Sequence, residues 1–352
     1  MSEAETRTGV ATPASGVSEE LYLGDAIHFF LSAKRAGGRS ERTLNDYRKK
    51  LELFQRWVAN RYGNERGTEE VDAPCLYIGA DEVESYVVYL RDERGMSDSS
   101  RKNHLAVLRS FFQTLSRRLE LADPTRTLDE VRFHAPVPKR SYLTKREAEI
   151  LLATVEKQAT DVSSAGEENP GIHEARRRAL ASALAARDHA AFSTMIYAGL
   201  RIEETTALKV EDLSFSRGEE EVRVARGKGN KERVVPMSPK LRRSLKRYVK
   251  VRDELVPAGK TAPPYLFLNE KGERLTENTL RRRLYGWVRK SGIKKADIKP
   301  HDLRRTFGTL YLQANPGHVR ELAELMGHSD LSLVMKYALS DEQRARAGVA
   351  KL

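Results

Sequence analysis

The 352-residue sequence predicts a mainly α protein with a small antiparallel β-sheet, built as a helical N-terminal module followed by an α+β module. Three observations carry this expectation. Apolar residues recur at helical spacing through most of the chain. Strand-like runs around Gly-containing turns occur in only two segments, both in the second half. A proline-bearing stretch of alternating charge separates the two modules.

Residues 1 to 20, "MSEAETRTGVATPASGVSEE", hold one Arg and four Glu with no apolar periodicity and read as a disordered tail. The helical module spans 21–121. In "SERTLNDYRKKLELFQRWVANRYG" Leu44, Tyr47, Leu51, Phe54 and Val58 share one face, and in "SRKNHLAVLRSFFQTLSRRL" Leu105, Leu108, Phe112, Leu115 and Leu119 do the same. Shorter helices are expected at 23–35 and 81–94. The linker, 122–141, contains three prolines and reads as extended.

The second module spans 142–340. Its residues 157–172, "KQATDVSSAGEENPGI", are rich in Ser, Gly and Glu and read as a surface insertion, leading into an Ala/Arg-rich helix over 173–187. "EEVRVARGKGNKERVVPM" and "PYLFLNEKGERLT" supply the strand-like runs of the sheet. Beyond 340 the chain ends in "DEQRARAGVAKL", a short helix capped by Ser340 with a thin apolar edge of Ala345, Val349 and Leu352 that needs a host surface.

Charge narrows the function. The net +12 divides into −3 over residues 1–20, +3 over 21–140 and +12 over 141–352. Runs such as "KLRRSLKRYVK" (240–250) and "LRRRLYGWVRK" (280–290) alternate cations with apolar residues, giving helices with one face on a core and one offered to phosphate, so the second half is expected to meet nucleic acid. No apolar run approaches a membrane span, and the first twenty residues lack the basic start and apolar middle of a signal peptide, so the expected location is the cytoplasm, with no membrane partner. The single cysteine, Cys75, reads as structural filler; the eight histidines show no metal-ligand spacing, and no phosphate-cradling G-x-x-x-x-G-K-[ST] or acidic pair for magnesium stands out. No cofactor and no metal are expected.

Several polar residues of the second module ask for a purpose. Arg201 follows Gly199 near a helix start, with Glu203 and Glu204 both placed to hold its guanidinium. Lys228 stands between two glycines at a hairpin tip. In "HDLRRTFGTLYLQ" the stripe is Leu303, Phe307, Leu310 and Tyr311, with His301 and Arg304 side by side along its edge. In "ELMGHSDLSLVMKYALS" a helix starting near Leu331 buries Leu331, Val334, Met335, Ala338 and Leu339, while Tyr337 points roughly 130° away from that stripe.

In kind and order, Arg201, Lys228, His301 with Arg304, His328 and Tyr337 resemble the signature of the tyrosine recombinases, the phage-integrase family, most closely its Xer-type members, through "AGLRIEE", "GKGNKERVVP", "HDLRRTFGT" and "ELMGHSDLSLVMKY". The resemblance implies a SAM-like, DNA-binding core-binding domain over 21–121 and a recombinase catalytic domain over 142–340. It implies strand cleavage and rejoining of double-stranded DNA through a 3′-phosphotyrosine, without metal or ATP. Arg201 and Arg304 would clamp the phosphate, Tyr337 attack it, His301 accept the tyrosine proton, Lys228 protonate the leaving 5′ oxygen, and His328 bond the phosphate or position the tyrosine. Glu204 would support the site. The resemblance further implies a homotetramer in the synaptic complex, with 341–352 docking on a neighbouring subunit, the alternative being a helix folded back on its own domain. A type IB topoisomerase would use similar chemistry, and a non-catalytic DNA-binding regulator could keep the fold.

Overall fold

The computed structural model describes residues 21–66, 75, 78–128, 133, 141–164, 172–225, 232–295 and 297–327. The tail 1–20, most of the linker, Lys228, His328, Tyr337 and the C-terminal 341–352 lie outside the described residues. The chain forms two compact units, residues 1–138 and 139–352.

In the first unit, α1 (Leu23–Ala36), α2 (Glu41–Arg66), α3 (Ala80–Asp92) and α4 (Asp98–Leu119) enclose one core. The predicted stripes face it: Leu44, Leu51, Phe54, Val58, Leu105, Leu108, Phe112 and Leu115 are buried, with Tyr47 and Leu119 at its margin. Phe54 meets the edge of Tyr86 at 4.9 Å between centroids. Cys75 is buried in the same core. The expectation of an extended linker from 122 onward does not hold at its start. Residues 124–127 form a turn in which Asp123 Oδ1 accepts the Thr125 N–H at 3.0 Å, and Leu128 returns its side chain to the core.

The second unit holds α5 (Lys145–Ser164), α6 (Ile172–Tyr197), α7 (Ile202–Ala207), α8 (Pro239–Val251), α9 (Glu277–Lys290), α10 (Pro300–Ala314) and α11 (Val319–Met326). Three antiparallel strands, β1 (Leu213–Ser214), β2 (Glu221–Val224) and β3 (Arg233–Pro236), lie in the order β1-β2-β3, with Val222 opposite Val235 and Val224 opposite Arg233. α6 runs through the middle of the core, contributing Ala190, Ala191, Phe192, Met195 and Ile196.

Two expectations are corrected here. Residues 157–164 continue α5 rather than forming an insertion, and α6 runs to Tyr197 rather than 187. The Ser182 hydroxyl donates to the Ala159 carbonyl at 3.3 Å, a side-chain link that a purely hydropathic reading of a polar segment misses. The second strand-like segment, 264–276, forms only isolated bridges, Lys209 with Tyr265 and Leu268 with Arg274. Leu266, Phe267 and Leu268 are all fully buried, which the period of two of a half-exposed strand forbids. Side chains supplement a few backbone bonds, such as Leu266 N–H to the Leu208 carbonyl (2.7 Å): Arg252 donates to the carbonyls of Pro263, Tyr265 and Leu266, Arg187 to that of Leu268 (3.0 Å), and the Leu268 N–H donates to the Tyr248 hydroxyl (3.2 Å). The sheet instead gains the two residues of β1.

Candidate active site

Gly199 lets the chain turn sharply out of α6. Its φ is +64°, and a Cβ there would fall 2.3 Å from the Phe307 ring. Arg201 follows in extended conformation as the residue before α7. Glu204, in the first turn of α7, accepts the Arg201 backbone N–H at 2.8 Å and its Nη1 at 2.7 Å, so one carboxylate both caps the helix and aims the guanidinium. Of the two acids the sequence offered, Glu204 takes this role.

Arg304, on α10, is not at the edge of the apolar stripe, as expected, but wholly buried. The cost of burying a guanidinium is offset by acceptors on three sides: Nη1 donates to the Gly199 carbonyl at 2.6 Å, Nη2 to the Met326 carbonyl, and Nη1 lies 3.6 Å from Glu204 Oε2. Leu310 and Tyr311 are only partly buried, and Leu312 takes their place against Leu322 and Met326 of α11. His301, in the first turn of α10, is exposed at the mouth of a cleft of about 350 Å³ that it lines with Arg201, Glu203, Arg281, Tyr285 and Lys299. The packing around its ring, then the charges of Arg305 and Arg304, and more weakly Arg201, hold His301 below imidazole's ordinary value against the opposing pull of Asp302. The shift favours the neutral imidazole, the form that can accept a proton.

One residue of the cluster went unread in the sequence. Arg233, the first residue of β3, forks onto both oxygens of Glu204, Nη1 to Oε1 at 3.0 Å and Nη2 to Oε2 at 2.7 Å, while its Nε donates to the Leu325 carbonyl at 2.9 Å. Burial alone would push the Glu204 carboxyl up; the hydrogen bond and charge of Arg233, then the backbone N–H and charge of Arg201, outweigh it and bring the group to about 2. Arg233 stands inside "GKGNKERVVP", but nothing in spacing alone sends its side chain inward.

The structure thus brings Arg201, Arg304 and His301 to one region around Glu204. Lys228, His328 and Tyr337 fall outside the described residues. The two basic helices differ. On α8, Lys240, Arg242 and Arg247 pair with Glu149, Glu220 and Glu156, whereas α9 sends Arg281 and Tyr285 into the cleft.

Comparison with known proteins places the chain in a family. Residues 142–344 match the phage integrase family and 27–119 the phage integrase N-terminal SAM-like domain. The tyrosine recombinase XerD of Brucella suis biovar 1 is 30% identical over 325 residues, covering 91% of this chain and 94% of that protein. The tyrosine recombinase XerC of Pelobacter propionicus is 32% identical over 298 residues, 85% of this chain and 84% of that protein. Among solved structures, the XerH site-specific recombinase bound to its palindromic difH substrate superposes with a TM-score of 0.64 at 19% identity, covering 93% of this chain and 95% of that one. The Tn1549 transposon integrase in complex with circular intermediate DNA gives 0.64 at 18% identity, covering 93% and 99%. These two show the shared fold. The chain belongs to the phage integrase family, the tyrosine recombinases. Within that family its sequence is Xer-like over most of its length.

Proposed function

We propose that the protein is a site-specific DNA recombinase that cuts and rejoins double-stranded DNA through a 3′-phosphotyrosine on Tyr337, without metal or ATP. The observation that carries this reading is the convergence of Arg201 and Arg304 on Glu204, beside His301 at an open cleft. A phosphodiester under attack gathers charge on its non-bridging oxygens. Arg201, partly exposed at the cleft, and Arg304, buried beneath it, supply the fixed positive charge that stabilises that transition state.

In the proposed step the Tyr337 oxygen forms a bond to phosphorus as the bond to the 5′ oxygen breaks. The phenol, ordinarily near pKa 10, gives its proton to His301, and Lys228 delivers one to the departing 5′ oxygen. His328 donates to the scissile phosphate or positions the tyrosine. The phosphotyrosine conserves the phosphodiester, so a partner strand's free 5′-hydroxyl can reverse the reaction with no other energy source. Residues 21–121 and 142–340 act as the core-binding and catalytic domains on one duplex in the cytoplasm, and four copies form the synaptic complex, with 341–352 docking on a neighbouring subunit and closing a ring.

The deciding experiment is Tyr337→Phe, incubated with DNA carrying the recognition site and examined for a denaturation-resistant protein–DNA adduct. The parent forms the adduct and the variant binds DNA without forming it. An adduct on the variant would move the nucleophile elsewhere.

A further inference from the structure

Arg233 has no part in the chemistry above, yet its guanidinium engages both oxygens of the site's carboxylate, Glu204. Its side chain is only 9% exposed, and Nε holds the Leu325 carbonyl at the end of α11. The same carboxylate carries Arg201 at 2.7 Å and lies 3.6 Å from Arg304. Three guanidiniums against one carboxylate leave two positive charges for a substrate. Without Arg233 only one would remain, and Glu204 would draw its counter-charge from Arg201 and Arg304 alone. The chain also fits closely over the group: at Gly327, with φ +62°, a Cβ would come 3.2 Å from Arg233 Nη1.

We propose that Arg233 is a positioning residue for strand cleavage: it serves as Glu204's own counter-ion, so that Arg201 and Arg304 turn their charge and geometry toward the scissile phosphate rather than toward the carboxylate. The inference rests on the clamp reading above. It differs from a purely structural role in one respect. A structural ion pair matters equally for any DNA, whereas a residue that frees positive charge matters only when the scissile phosphate is negative.

The test uses the full chain and two DNA duplexes, one ordinary and one whose scissile phosphate carries a methyl group in place of a non-bridging oxygen and is therefore uncharged. Single-turnover adduct formation is measured for the parent, Arg233→Gln, Arg201→Gln and the double variant Glu204→Gln/Arg233→Gln. Arg233→Gln is expected to bind DNA within about threefold of the parent and to cleave the ordinary duplex about 100-fold more slowly, the scale of a small misplacement at a reacting centre. On the methylated duplex the deficit shrinks to a few-fold. The double variant, lacking the competing carboxylate, cleaves the ordinary duplex faster than Arg233→Gln, and it supplies the readout if the single variant folds poorly after losing the main partner of its buried carboxylate.

Arg201→Gln is the control, losing activity mainly on the charged duplex. If it shows that pattern while Arg233→Gln is unimpaired, or is equally impaired on both duplexes, the inference is overturned and the clamp stands. A double variant no faster than Arg233→Gln overturns it as well. If Arg201→Gln is equally impaired on both duplexes, the clamp reading falls and the inference with it.

Discussion

Arg304 Nη1 donates to the Gly199 carbonyl at 2.6 Å, so the buried guanidinium of α10 holds the turn that delivers Arg201 two residues later. Through this bond the two arginines are fixed by each other's backbone surroundings rather than by two independent pockets. Any change that loosens one end displaces the other.

The first prediction follows directly. Arg304→Lys keeps the charge, but a single ammonium cannot span the Gly199 and Met326 carbonyls as the planar fork does. Adduct formation is expected to fall about 10²–10³-fold, the range seen when one preorganised donor is lost, with DNA binding nearly unchanged. Gel-shift and single-turnover cleavage measured side by side check it; parallel losses in both would contradict a role confined to the reaction.

Gly199→Ala tests the turn itself. The new Cβ meets the Phe307 ring at 2.3 Å and sits at φ +64°, combining a clash with backbone strain. Urea unfolding is expected to show a loss of about 2–5 kcal/mol, the sum of overpacking and left-handed backbone costs. Gly292→Ala, at φ +69° with nothing within 4 Å, carries only the second cost, about 1–2 kcal/mol. Equal losses at the two sites would remove Phe307 from the account.

His301 sets the acid limb of the pH profile. Its value lies below the ordinary 6.5 because of the packing around the ring and the charges of Arg305, Arg304 and Arg201, with Asp302 opposing. A group that must be neutral to accept a proton becomes active as pH rises through its own pKa. The midpoint of that limb should therefore lie below pH 6.5, and His301→Gln should remove the limb along with most of the rate. An acid limb that persists in the variant would assign the base elsewhere.

How far the sequence spoke depended on the kind of interaction. The helix faces were legible because burial repeats at 3.6 residues: Leu51, Phe54 and Val58 could be placed inside from spacing alone, and they are inside. Arg201, His301 and Arg304 were legible as a set because their order and neighbours resemble a known signature. Burial of Arg304 was not, since helical phase put it at the margin of a stripe and only the acceptors at Gly199, Met326 and Glu204, from three separate segments, make an interior guanidinium tolerable. Arg233 was hidden for the same reason. The residues around Phe267 misled because their backbone groups are divided between side chains of Arg252, Arg187 and Tyr248 and scattered backbone partners at Leu208 and Leu275, leaving an apolar run that looks like a strand without forming a regular ladder.

The last prediction separates the two basic helices. By sequence, α8 and α9 are equally suited to phosphate. In the structure Lys240, Arg242 and Arg247 of α8 each lie within 2.8 Å of a carboxylate, Glu149, Glu220 and Glu156, so much of their charge is already answered. Arg281 of α9 and Lys299 before α10 instead line the cleft with Arg201 and His301, and the Arg281 guanidinium donates to the neutral Asn278 side chain at 3.0 Å. A phosphate contact releases counterions, so each one lost should lower the slope of log K against log salt by about 0.9 as well as weaken binding. Arg281→Gln and Lys299→Gln are expected to reduce affinity and flatten that slope by about one unit each. Arg242→Gln and Arg247→Gln should leave both nearly unchanged, because each cation is already paired with a carboxylate rather than offered to DNA. Fluorescence anisotropy titrations of the four variants at several salt concentrations decide between the helices. A flattened slope for the α8 variants with an unchanged one for Arg281→Gln would place the DNA on the other face.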